Sequence, residues 1–186
     1  MSATPNRLIV LDRDGVINED SYDYIRSPDE WIPLPGSLAA IAALGRLGYR
    51  VYVATNQSGI ARGLYTHDTL NEIHDKMLAA VREAGGDLEG IFYCPHGPED
   101  DCDCRKPQPG LLHRIEQASG LSLAGCPYVG DKLADLEVAR AVDARPILVR
   151  TGYGEQTLAA LSSTADIEVF ADLAAYVESL VESPAG

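Results

Sequence analysis

Six short apolar runs, each closing on polar residues, alternate along this chain with segments of helical spacing, and few folds accommodate that alternation. The runs are NRLIVLD (Asn6 to Asp12), YRVYVAT (Tyr49 to Thr55), LEGIFYC (Leu88 to Cys94), GCPYVGD (Gly125 to Asp131), RPILVRT (Arg145 to Thr151) and IEVFAD. Helices are expected over Ser37 to Leu47, after an N-capping Thr66, over Pro109 to Ser119, over Lys132 to Ala141 and over Leu173 to Val181. Gly48 and the pair Gly85 and Gly86 read as helix stops. Strands alternating with helices predict an α/β fold, a doubly wound parallel sheet covered on both faces. A length of 186 residues suits one domain over 1–186 and is short for two. The segment from Asn18 to Pro35 lacks periodicity and reads as an irregular flap after the first strand. No insertion is long enough to form a large cap domain.

In such sheets ligands bind beyond the carboxyl ends of the strands. Four polar clusters fall there: LDRDGVIN with Asp12 and Asp14, ATNQSG with Thr55 and Asn56, CRKPQPG with Arg105 and Lys106, and VGDKLADL with Asp131, Lys132 and Asp135. Each alone has an ordinary explanation. A D-x-D-G suits a turn, Thr55-Asn56 a cap, Lys106 a surface, and Asp135 a helix N-terminus. Their order and shared location argue for one site. Crowded carboxylates demand a cation, and hard oxygen ligands suit Mg²⁺. A lysine and a hydroxyl then offer donors to a phosphoryl group. Asp12 is placed to act as nucleophile and Asp14 as acid.

The net charge of −13 disfavours nucleic acid and anionic membrane surfaces as partners. An anionic small molecule would need a locally positive site, and Arg105, Lys106 and Lys132 supply candidates. No apolar run reaches membrane-spanning length, and the start carries no signal-peptide pattern. The expected location is cytoplasmic, where thiols stay reduced, and the expected state a monomer or weak homo-oligomer.

Between the third strand and Lys106 lies CPHGPEDDCDC, with Cys94, His96, Cys102 and Cys104. Three thiolates and an imidazole make a closed tetrahedral Zn²⁺ site. A disulfide would leave one thiol over, and inert thiols would not explain the histidine. Zinc would clamp the loop and lend rigidity to Arg105 and Lys106. Cys126 is expected in the core. His67, His74 and His113 are expected to face solvent or pack within helices.

LDRDGVI, VATN, RKPQPG and VGDKLAD together resemble, in order, the four motifs of the haloacid dehalogenase superfamily. That resemblance implies a Rossmann-like fold and a Mg²⁺-dependent phosphatase working through an aspartyl-phosphate. It implies Asp12 as nucleophile and Asp14 as acid, then base. Thr55 and Lys106 would hold the phosphoryl group. Asp12, the main-chain carbonyl of Asp14, and Asp131 would hold Mg²⁺. TNQSGIARG, CPH, CDCRKP, GDKLAD and LVRTG narrow the resemblance to the D-glycero-D-manno-heptose 1,7-bisphosphate 7-phosphatases and related histidinol-phosphate phosphatases. The first implies a phosphosugar substrate in lipopolysaccharide or nucleotide-activated heptose synthesis, the second an amino alcohol phosphate. A remoter alternative is a zinc-stabilised binding module without turnover. Asn56, Arg105 and Lys132 are further candidates for substrate contact, Arg105 for a second phosphate. By the same resemblance the flap adds Asp20, Ser21, Tyr22, Asp23 and Tyr24.

Overall fold

The structure, a computed structural model, describes residues 7–182. Strands β1 (Arg7–Leu11), β2 (Tyr49–Asn56), β3 (Gly90–Cys94), β4 (Pro127–Gly130), β5 (Arg145–Val149) and β6 (Glu168–Phe170) form one sheet in the order β3-β2-β1-β4-β5-β6. Every pairing is parallel. Helices α1 (Ser37–Arg46), α2 (His67–Glu83), α3 (Gly110–Ser119), α4 (Leu133–Ala141), α5 (Gly154–Ala160) and α6 (Leu173–Glu182) cover it. The chain moves outward from β1 to β3, then crosses back to lay β4 on the other side of β1. That reversal opens a crevice at the carboxyl ends of β1, β2 and β4.

The period of two in an extended strand divides each apolar run between two cores. Ile9, Leu11, Val51 and Val53 join Ile41, Leu44, Ile73, Met77 and Val177 from α1, α2 and α6. Leu8, Val10, Tyr52 and Ala54 join Leu111, Ile115 and Val138 from α3 and α4 on the opposite face. Each face is closed by helices, which is why the strands show no polar alternation. Leu44 is fully buried, so Leu44→Ala would cost about 2–5 kcal/mol. Thr66 caps α2 as expected, its Oγ1 accepting the Thr69 N–H at 3.1 Å.

Some boundaries differ from expectation. β3 begins at Gly90, and Leu88 packs into the first core from a loop. Gly125 turns the chain with φ of 74°, so Cys126 precedes β4, half-buried against the second core. α5 was not anticipated; its seven residues are too few to display a helical period. Asn6, expected to start the first strand, lies outside the described residues.

The flap is closed at its base by two backbone bonds, Glu19 N–H to Ile32 O and Leu34 N–H to Ile17 O, both 2.9 Å. A 3₁₀ turn at Pro28–Glu30 leads to Trp31, which is 2% exposed. Lys76 of α2 fastens this turn, its Nζ donating to the carbonyls of Pro28 (2.6 Å) and Trp31 (3.1 Å). Among the described residues no helix is long and apolar enough to cross a membrane.

Candidate active site

The crevice holds a cavity of about 250 Å³ lined by Asp12, Asp14, Thr55, Asn56, Arg105, Lys106, Lys132 and Asp135, with Asp20, Ser21, Tyr22 and Tyr24 of the flap. Asp12 follows β1 directly, and its Oδ1 accepts from the Arg13 N–H at 2.8 Å. The Lys106 ammonium sits 3.0 Å from that oxygen. Lys106 also donates to Asp135 Oδ1 (2.7 Å), to the Ala54 carbonyl (2.8 Å) and to the Tyr128 hydroxyl (3.1 Å). Burial works against its charge, but Asp12 and Asp135 outweigh it and hold the pKa well above the usual lysine range. A buried cation so paired is costly to orphan, about 3–5 kcal/mol if one partner is removed.

Asp12, Asp131 and Asp135 bring carboxylate oxygens within 4.8 Å of one another. Burial, joined by the neighbouring acids, pushes Asp12 up to about 7 and Asp131 up to about 8, although lysines pull both back. A divalent cation relieves that repulsion, so this donor set fits Mg²⁺. Asp135 is otherwise engaged. Its Oδ1 binds Lys106 and Tyr128, and its Oδ2 accepts the N–H groups of Asp131 (3.2 Å) and Lys132 (3.1 Å) at the start of α4. Asp131 Oδ2 accepts the Tyr153 N–H at 2.8 Å, which leaves Asp12 Oδ2 and Asp131 Oδ1, the latter only 3.3 Å from Lys132, as the oxygens best placed to take a cation. Gly15, at φ of 83°, leaves Asp131 its space: a Cβ there would collide with Asp131 Oδ2.

Asp14 stands differently. Its Oδ1 accepts from Arg13 Nε (2.9 Å), Arg13 Nη2 (2.8 Å) and Asn18 Nδ2 (2.9 Å). Its Oδ2 accepts from Gln57 Nε2 alone, at 3.0 Å. Burial disfavours the charged form, but Arg13 and the Asn18 bond prevail, and the pKa falls below the ordinary carboxylate value. Arg13 is wholly buried, and its Nη1 lies 3.2 Å from His74 Nε2. Burial, with Arg13 beside it, pushes His74 down to about 3, so the neutral ring accepts the bond.

The other candidate residues divide. Thr55 is 1% exposed at the cavity wall. Asn56, expected to touch substrate, instead spends both polar atoms on the Lys106 backbone. Lys132 bridges Asp20 Oδ2 (2.7 Å) and Asp131 (3.3 Å), under the Tyr153 ring at 4.8 Å. Tyr22 packs edge-on against Tyr153, centroids 5.4 Å apart. Asp23 does not reach the cavity; it faces a separate depression with Glu19, Arg26 and Glu30. Arg105 lines the cavity and donates to the His96 carbonyl at 3.2 Å. No ion pair engages it among the described residues, whereas Asp103 reaches Arg114 at 3.9 Å.

Beside Arg105 the four expected zinc ligands converge. Cys94 Sγ lies 3.1 Å from Cys104 Sγ, 3.7 Å from Cys102 Sγ and 3.5 Å from His96 Nδ1. Zn–S bonds of ~2.3 Å at tetrahedral angles put ligand atoms roughly 3.5–3.8 Å apart; the Cys102 and His96 separations from Cys94 match, Cys104 stands a few tenths closer, and the donor set is that of a closed zinc site. All four cysteines are free thiols. The Arg105 N–H points at Cys102 Sγ (3.4 Å), which couples the loop directly to the cavity residues. His67 is exposed against the Tyr93 hydroxyl, and His113 is exposed on α3.

Arg13, Gln57, Tyr65, His74, Tyr128 and Tyr153 were not anticipated. Gln57 carried a signal, lying inside the TNQSG cluster at a strand end. Tyr128 and His74 carried none, because their partners are distant in sequence.

A HAD-hydrolase-like family model matches residues 103–176. A Pseudomonas aeruginosa D-glycero-beta-D-manno-heptose-1,7-bisphosphate 7-phosphatase is 52% identical over 94% of this chain and 98% of its own. The crystal structure of D,D-heptose 1,7-bisphosphate phosphatase from Bordetella bronchiseptica, complexed with magnesium and phosphate, superposes with a TM-score of 0.91 at 52% identity, covering 95% of this chain and 98% of that one. The corresponding enzyme of Burkholderia thailandensis gives a TM-score of 0.75 at 42% identity, covering 96% and 100%.

Proposed function

The chain belongs to the D-glycero-β-D-manno-heptose-1,7-bisphosphate 7-phosphatase family of HAD-like hydrolases, and from that premise we propose that it removes the 7-phosphate of D-glycero-D-manno-heptose 1,7-bisphosphate. The observation that carries the reading is a pair of adjacent cations in one acidic crevice. Lys106 is committed to Asp12, while Arg105 opens on the same cavity with no carboxylate partner among the described residues. A lysine serves the transferred phosphoryl group, and a guanidinium fork suits a second phosphate.

Asp12, the Asp14 carbonyl and Asp131 would hold Mg²⁺, which when bound neutralises charge on the phosphoryl oxygens. An Asp12 oxygen attacks phosphorus, and the bond from phosphorus to the C7 oxygen breaks. Asp14 rests as the carboxylate and must first take up a proton; Oδ2, the oxygen with a free lone pair, then delivers it to that leaving oxygen. Asp14 then takes a proton from water, whose oxygen attacks phosphorus and frees Asp12 with release of phosphate. Lys106 and the Thr55 hydroxyl hold the phosphoryl group through both steps. The flap through Asp20, Ser21, Tyr22 and Tyr24 would contact the sugar, with Lys132 between Asp20 and the phosphoryl site. A Zn²⁺ ion at Cys94, His96, Cys102 and Cys104 would be structural, all four positions being filled by protein. We read 1–186 as one catalytic domain, since a single sheet receives every described strand.

The test is phosphate release from heptose 1,7-bisphosphate and from histidinol phosphate with Mg²⁺ present. Strong preference for the first, abolished in Asp12→Asn, is expected. Preference for histidinol phosphate, or turnover by Asp12→Asn near that of the unaltered protein, sinks the reading.

A further inference from the structure

Gln57 is 3% exposed, with both amide protons and one of the two oxygen lone pairs in hydrogen bonds. Nε2 donates one proton to Asp14 Oδ2 (3.0 Å) and the other to Thr55 Oγ1 (2.9 Å). Oε1 accepts from the Tyr65 hydroxyl at 2.6 Å. The carboxylate settles the orientation of the amide. In its resting, ionised form Asp14 can only accept, so the NH₂ end faces it and the oxygen faces Tyr65. Thr55 Oγ1, already accepting, keeps its own proton free for the cavity.

The surroundings are built around this bridge. Tyr65 is 7% exposed, and its ring occupies the space where a Cβ on Gly59 would stand. Any side chain at 59 would push the hydroxyl away from Gln57. The Gln57 backbone N–H is tied to the Cys94 carbonyl at 2.7 Å, which fixes the base of the side chain to the end of β3. Asp14 Oδ1 is immobilised by Arg13 and Asn18, so only Oδ2 remains to be aimed, and Gln57 supplies its single partner.

We infer that Gln57, held by Tyr65, is a positioning residue that sets the distance between the proton-donating oxygen of Asp14 and the phosphoryl-holding hydroxyl of Thr55. The inference rests on the acid role given to Asp14 above. The leaving oxygen must be met by Asp14 at the moment Thr55 and Lys106 hold the phosphoryl group. One amide spanning both contacts fixes that spacing, where an error of ~1 Å can cost on the order of 10²-fold in rate.

A leaving-group comparison tests it. kcat/KM reports steps up to the first irreversible one, here transfer of the phosphoryl group to Asp12. A sugar phosphate needs its leaving oxygen protonated; an aryl phosphate with a stable phenolate, such as p-nitrophenyl phosphate, does not. Asp14→Asn provides the benchmark, with a steep loss on the heptose bisphosphate and a smaller loss on the aryl ester. Gln57→Leu is expected to follow it, losing on the order of 10²-fold on the sugar phosphate and less than about tenfold on the aryl ester. Tyr65→Phe, which keeps the ring and deletes only the hydroxyl, is expected to show the same imbalance at smaller size. General loosening of the fold would lower both substrates together. Equal losses in Gln57→Leu and Tyr65→Phe, or none, beside an intact Asp14→Asn imbalance, overturn this inference alone. An Asp14→Asn enzyme with no imbalance overturns the acid assignment and this inference with it.

Discussion

Asn56 grips the Lys106 peptide at both ends: the Lys106 N–H donates to Asn56 Oδ1 at 3.0 Å, and Asn56 Nδ2 donates to the Lys106 carbonyl at 3.1 Å. The end of β2 thereby sets the height at which the lysine enters the cavity. Asn56→Ala should lower kcat by about 10²-fold through displacement of the ammonium, and lower stability by about 1–3 kcal/mol. Steady-state kinetics and urea titration check both. An unchanged kcat would show that Lys106 is placed by its buried acids alone.

Arg105→Ala should separate the two substrates. On the bisphosphate it removes an attraction. On histidinol phosphate, whose far end is an ammonium, it removes a repulsion. Two like charges ~4 Å apart cost about 4 kcal/mol at an effective dielectric of 20. Activity on the bisphosphate should fall steeply while activity on histidinol phosphate holds or rises. Parallel losses would mean that the guanidinium only braces the loop through the His96 carbonyl.

Zinc should co-purify with the chain at one ion per molecule, measured by elemental analysis of protein never exposed to chelator. Cys102→Ser is the variant to use, because Cys102 is half-buried, whereas Cys94 and Cys104 lie in the core. Loss of the ion should free the Arg105 N–H and cut activity by about 10²-fold. Full activity in a zinc-free preparation would show that the loop holds itself.

His74 gives stability a pH dependence whose sign can be stated. Burial and the adjacent Arg13 lower its folded pKa from 6.5 to about 3, so between those values the unfolded chain binds the extra proton. Its contribution is complete above pH 6.5 and is lost as pH falls toward 3. Between pH 7 and pH 5 the loss is about 2 kcal/mol. His74→Gln, which keeps an acceptor for Arg13 and cannot titrate, should flatten that part of the urea midpoint profile. A profile as steep as that of the unaltered protein would exclude His74 as its source.

Strand-end chemistry was legible because it is local. Asp12, Thr55 and Asp131 each end an apolar run, and in a parallel sheet such ends share one edge. The zinc set was legible for the same reason, with all four ligands inside eleven residues, Cys94 to Cys104. What escaped depends on distance. Nothing near Arg13 in the sequence shows that it is buried; its partner His74 lies 61 positions away. Asn56 looks like a substrate contact until Lys106, 50 positions on, takes both its polar atoms. Asp23 and Asp20 are indistinguishable in a flap without periodicity. Only the backbone course turns Asp20 toward Lys132 and Asp23 away.

Trp31 is the chain's one tryptophan, and it sits where the flap is fastened to α2 by Lys76. Its ring is buried, its Nε1 has no hydrogen-bond partner among the described residues, and a lysine ammonium lies 5.9 Å from the ring centroid. Indole emission shifts with polarity and nearby charge, so this protein carries its own spectroscopic probe of whether the flap is seated. No label is required, and the nine tyrosines can be avoided by excitation at the red edge. Any displacement of the flap could thus be followed in the same cuvette as turnover.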